Sequence, residues 1–89
     1  MSAQRRYIVI RPAIVGNLES WTTEYYWDGL LYQSRAKAIS GGFKVHGHDD
    51  WLIGILKDDQ LVRLAWMDED RDDAEELADV AKALSLETL

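Results

Sequence analysis

Between Trp51 and Met67 the chain has two apolar runs, WLIGIL and LVRLAWM, on either side of the polar tetrapeptide KDDQ. Folding this stretch back at Asp58-Asp59 places Ile55 opposite Val62, Ile53 opposite Leu64 and Trp51 opposite Trp66. Alternate side chains of a strand share a face, so the pattern predicts an antiparallel hairpin with one buried side. A second hairpin is expected over Trp21–Gln33. Its turn would be Asp28-Gly29, a dipeptide suited to the type I′ geometry that requires positive φ at both central residues. Pairing outward from that turn puts Trp21, Thr23, Tyr25, Trp27, Leu30 and Tyr32 on a core face. Upstream, RRYIVIR (5–11) reads as a first strand stopped by Pro12, which has no N–H to give to a ladder. Residues 13–20 read as a loop around Gly16-Asn17, with a brief extended continuation through Ile14-Val15 as the alternative.

The period changes after each hairpin. Ser34 is positioned to cap a helix beginning at Arg35, with Ala36, Ile39, Phe43 and His46 at helical spacing. Gly41-Gly42 costs roughly 1 kcal/mol per glycine relative to alanine, unless close approach to a sheet repays it. The helix is expected to run to about His46 and end at Gly47; a stop at Ser40 followed by an extended FKVH is the alternative. A second helix is expected over about Asp72–Leu84, with Ala74, Leu77, Ala78, Ala81 and Leu84 as its apolar stripe. Asp72, Asp73, Glu75 and Glu76 crowd its N-terminus, where negative charge suits the helix dipole.

The order β–ββα–ββα predicts an α+β fold, a two-layer sandwich. Its antiparallel sheet would have four or five strands, with two helices on one face. That arrangement leaves the other face uncovered. By period it carries Tyr26, Leu31, Leu52, Leu56, Leu61, Ala65 and Met67, around Gly54 and Arg63. Monomers rarely expose so large an apolar patch. Tyr26, Leu31, Leu52, Leu56, Leu61, Arg63 and Met67 are therefore the candidate protein-interaction surface.

Length and charge narrow the reading. The 89 residues suit a single domain, 1–89, and the lack of cysteine excludes disulfides and thiolate chemistry. No secretory leader and no membrane-length apolar run is visible, so a cytoplasmic protein without a membrane association is expected. The net charge of −6 is divided as +3 over residues 1–48 and −9 over residues 49–89. A negative molecule repels phosphate backbones, which argues against direct nucleic-acid binding.

Candidate chemistry is sparse. His46, His48, Asp49 and Asp50 are metal-capable, but helical positions two apart diverge, and nothing elsewhere completes a ligand set. Asp68-x-Asp70-x-Asp72, with Asp79 at the twelfth position, imitates a calcium loop but has Asp73 where glycine is needed. No nucleophile–base pair is suggested, so no catalytic residue, metal or cofactor is expected. Eight acids fall within Asp68–Asp79. Of these, Asp68, Glu69, Asp70, Asp72, Asp73 and Glu76 form a candidate acidic patch.

The run SRAKAISGGFKVHGHDDWLIGILKDDQLVRLAWMDED, followed by ELADVAKAL, resembles a group of short uncharacterised proteins of proteobacterial and prophage genomes. These share a serine-capped helix, a Gly-x-Asp-Asp segment and a hairpin ending in Trp-Met; the resemblance spans residues 34–84. It implies a phage-associated accessory role and brings no catalytic residues. The functional expectation is a non-catalytic protein-interaction module, a phage-associated regulator that binds a protein partner or forms a homodimer through the open sheet face. One alternative is an acidic inhibitor that imitates nucleic acid and blocks a host defence or DNA-binding protein. A small metal-dependent enzyme is the other.

Overall fold

The computed structural model describes residues 5–88. Among them the order is β1 (Arg5–Gly16), β2 (Trp21–Trp27), α1 (Arg35–His46), β3 (Leu52–Lys57), β4 (Gln60–Trp66), β5 (Glu69–Arg71), α2 (Ala74–Ala83) and β6 (Glu87–Thr88). One sheet has the order β2-β1-β3-β4-β5, antiparallel throughout, and β6 adds parallel to β4 at Gln60 and Leu61. The α+β class and the antiparallel sheet are as expected. The strand order roughly matches too, and the differences lie in particular connections.

β1 pairs with β3 over Arg5–Ile10 and with β2 over Ile10–Gly16. Its backbone shows why. Tyr7 exchanges both backbone hydrogen bonds with Tyr32, each 2.8 Å, on the edge away from β3, and the Asn17 N–H donates to the Ser20 carbonyl at 2.9 Å. Backbone groups address alternate edges along a strand. Odd-numbered residues of β1 therefore address β2 and even-numbered ones address β3. Pro12 is even, so its missing N–H is lost from the β3 side, just past the last pair, Ile10–Leu52. Pro12 ends one ladder and spares the other, which corrects the expectation that it ends the strand.

The second correction is the turn. β2 returns along β1 through Asn17–Ser20, where Asn17 Oδ1 accepts from the N–H groups of Glu19 (3.0 Å) and Ser20 (2.9 Å). This short local closure pre-empts the Asp28-Gly29 hairpin. Gly29 has a positive φ of 86°, but Asp28 does not have one, so the type I′ requirement is unmet. Residues 28–31 instead loop outward between Trp27 and Tyr32. The Leu30 N–H donates to Asp28 Oδ1 at 2.9 Å, and Trp27 Nε1–H donates to the Leu30 carbonyl at 3.0 Å.

The β3–β4 hairpin does turn at Asp58-Asp59, both with positive φ (52° and 67°). Its register slips between Ile55 and Leu56. Leu56 pairs with Leu61, but Ile55 then pairs with Arg63 and Ile53 with Ala65, leaving Val62 as the extra residue of a bulge. The expected pairs Ile55–Val62 and Ile53–Leu64 are lost by that one-residue insertion. Trp51 and Trp66 still meet edge-on, ring centroids 5.1 Å apart.

Two cores result. Ile8, Ile10, Leu52, Leu56, Leu61 and Leu64 pack beneath Val80 and Ala81 of α2. Val9, Trp51, Ile53, Ile55 and Ala65 pack beneath Ala38 of α1. Consecutive residues of β1 and β3 alternate between the two clusters, so the helices cover opposite faces rather than one. Strands buried on both sides carry near-continuous apolar runs, as YIVI and LIGIL do. Of the face expected to be open, Leu52, Leu56 and Leu61 form the floor under α2, whereas Ala65 and Met67 lie on the α1 side.

Ser34 caps α1 by accepting the Lys37 N–H at 3.2 Å, and Gly47 ends it with φ 63° and an N–H bonded to the Phe43 carbonyl at 2.9 Å. Its buried residues are Ala38 and Gly42, while Ala36 and Phe43 are exposed. The expected stripe is rotated because a glycine, not a large side chain, makes the closest contact. A Cβ on Gly42 would stand 2.5 Å from Trp51 Cζ3, and one on Gly41 would run into the Tyr32 hydroxyl. α2 starts at Ala74, not Asp72, because Asp73 is its cap and accepts the Glu76 N–H at 3.0 Å. Val80, outside the expected stripe, is fully buried; burial of a side chain that size contributes about 1.5–3 kcal/mol.

Helix propensity alone would make Gly42→Ala stabilising by about 1 kcal/mol. Overpacking against Trp51 is expected to outweigh that gain and give a net loss of about 1–3 kcal/mol. Urea denaturation measures it; an unchanged or higher midpoint would show that α1 does not rest on the indole.

Candidate interaction surface

Because β3 leaves β1 at Ile10, the segments 11–16 and 21–26 continue as a two-stranded ribbon beyond the sheet body. The molecule measures 50 × 29 × 22 Å with a radius of gyration of 13.1 Å. A compact chain of this length would have a radius of about 12 Å, so the molecule is drawn out. Ile14, Val15, Leu18 and Trp21 lie exposed near the ribbon's end, Trp21 at 63% and Leu18 completely. At the other end of β2 the outward loop exposes Leu30 (53%) and Leu31 (51%).

Of the residues expected on an uncovered sheet face, Tyr26 and Leu31 are exposed. Leu52, Leu56 and Leu61 are buried in the α2 core. Met67 is half-buried against the α1 core, and Arg63 sits across from Ile55 on that same side. The seven residues therefore form no common surface. Trp21 and Leu30, expected on a core face, are instead exposed at opposite ends of β2.

β2 is the outer strand of the sheet, and among the described residues no strand pairs with its far edge. Its even-numbered residues pair with odd-numbered ones of β1 and so address β1. The N–H and C=O groups of Trp21, Thr23, Tyr25 and Trp27 accordingly point outward. On the α1 side of β2, the Tyr26 hydroxyl donates to Glu24 Oε2 at 2.5 Å, and that bond raises the tyrosine pKa above its ordinary value. On the α2 side, burial first and then Glu76 and Asp79 push the Tyr25 pKa up. Beneath the ribbon a cleft of about 620 Å³ lies between Ile14 and Tyr25 on one wall and Trp66 and Arg71 on the other.

The metal-capable residues at the end of α1 disperse. The His48 ring stands edge-on to Phe43 with centroids 5.8 Å apart, and Asp49 pairs with Arg11 at 3.6 Å. Among the described residues no three histidine or acidic side chains are grouped as a metal would need. No helix among them is long and apolar enough to cross a membrane.

Three carboxylates of the acidic segment are tied into the fold. Asp70 accepts from Arg63 Nη1 at 2.9 Å and from Arg35 Nη2 at 2.8 Å, joining β4 and the start of α1 through β5. Asp73 is the α2 cap, and Glu76 is gripped by Arg71, with Nε 3.1 Å from Oε1 and Nη2 donating to Oε2 at 3.2 Å. Asp68, Glu69 and Asp72 remain exposed. The hydrogen bonds from Arg63 and then Arg35 hold the Asp70 pKa below its ordinary 3.8. A carboxylate with a depressed folded-state pKa stabilises the fold above its unfolded value and loses that effect as pH falls through the folded value. Asp70→Asn is therefore expected to lower the melting temperature at neutral pH. The gap to wild type should narrow as the pH drops below the ordinary carboxylate value and close once it has passed the depressed folded-state value. A gap that persists in strong acid would show that charge is not what Asp70 contributes.

Comparison with protein-family models, curated proteins and solved structures gave no match to this chain.

Proposed function

We propose that this protein is a non-catalytic interaction module that binds polypeptide along β2. The observation behind this reading is a strand edge with outward backbone donors and acceptors, flanked at both ends by exposed apolar side chains. An unpaired edge is a template for another strand, since main-chain hydrogen bonds supply affinity and the flanking side chains supply selectivity. Trp21 suits an anchoring role, because large aromatics dominate the energetics of such contacts. The acidic segment is less suited to imitating nucleic acid, since Asp70, Asp73 and Glu76 are engaged within the fold.

A photo-crosslinking amino acid placed at Leu18 or Leu30 should give discrete polypeptide adducts when the protein is made in cells, whereas the same group at exposed Glu75 should not. Trp21→Lys should reduce the Leu18 adduct about tenfold, as loss of one anchor costs roughly 1.4 kcal/mol or more. Equal background labelling from all three positions would refute the reading.

A further inference from the structure

We infer that the occupant of the β2 edge is a second copy of this chain, with the two β2 strands paired antiparallel about a two-fold axis at Tyr25. The inference rests on the polypeptide-binding reading above and names its partner.

The edge is complementary to itself. Its apolar side chains sit in two groups: Trp21 with Leu18 at one end, and Leu30 with Leu31 at the other. An antiparallel two-fold carries each group onto the opposite group of the other copy, which is what an isologous interface requires. Only a few registers are available. An axis at Glu24 would set two carboxylates directly opposite one another, which is unfavourable. An axis at Thr23 would carry the partner's Leu30 and Leu31 past the end of the ribbon and leave them in water. An axis at Tyr25 sets Thr23 against the partner's Trp27 and leaves Trp21 at the end of the paired segment, next to the outward loop that carries the partner's Leu30. It also faces Glu24 with the partner's Tyr26, the same hydroxyl–carboxylate pair that each strand already makes internally. In this register the outward backbone groups of Thr23, Tyr25 and Trp27 meet one another as hydrogen-bonded pairs.

Sedimentation equilibrium in the high-micromolar range tests this on wild type and Thr23→Pro. The Thr23 N–H points away from β1, so proline there takes nothing from the internal ladder, and edge strands tolerate proline. The two-fold doubles the loss, and the dimer dissociation constant should rise at least about tenfold. A wild-type protein that stays monomeric across that range overturns the inference, as does a natively folded Thr23→Pro that dimerises unchanged. Should that variant unfold, hydrogen exchange on the wild type decides. The Thr23 and Tyr25 amides should exchange more slowly as concentration rises, and exchange that ignores concentration overturns self-pairing. A monomeric wild type that still crosslinks another protein through Leu18 would end self-pairing alone and leave the module reading in place.

Discussion

Because β1 pairs with β3 over one half and with β2 over the other, its register decides where every other element lies. Side chains of a strand alternate faces, so a one-residue slip against β3 would exchange the α1 core for the α2 core along its length. Gly54 helps to fix that register. It lies opposite Ile8, and a Cβ there would stand 2.8 Å from Ile10 Cδ1 and 2.9 Å from Ile8 Cγ1. The bulge at Val62 then resets the phase of β4, so that Leu61 and Leu64 both reach the α2 side while Val62 packs on the α1 side.

The two helices are held by different means. α2 buries branched side chains, Val80 foremost, in the way expected of an amphipathic helix. α1 approaches backbone-first, with Gly42 over the Trp51 indole and Gly41 over Tyr32. Its start is fastened separately by Arg35 reaching Asp70, which Arg63 also holds. Apolar contact and charge pairing thus secure opposite ends of one helix.

Much of this was legible in the residues. The Asp58-Asp59 turn, the Ser34 cap and the Gly47 stop follow from local chemistry and are present. What the residues hid depended on competition between distant segments. Asp28-Gly29 is a good turn dipeptide, but Asn17 closes a nearer one, and Tyr32 is claimed by Tyr7. Alternation within WLIGIL suggests one buried face and one open face. Yet a run apolar at almost every position marks a strand covered on both. Period alone points to Leu52, Leu56 and Leu61 as surface, whereas they are interior. Trp21 and Leu30 carry no local mark of exposure, because large apolar side chains ordinarily belong to cores and no local signal says that β1 outruns β3.

The sheet's margins are treated unequally. On the far side β5 is only Glu69–Arg71, charged and exposed, and β6 overlies Gln60–Leu61 of β4. On the overhanging flank of β1, Pro12 withholds the donor that an incoming chain would need. β2 is thus the longest margin left open among the described residues. Were two copies to pair along it, their two-fold would consume both of these margins and leave a third copy no equivalent one.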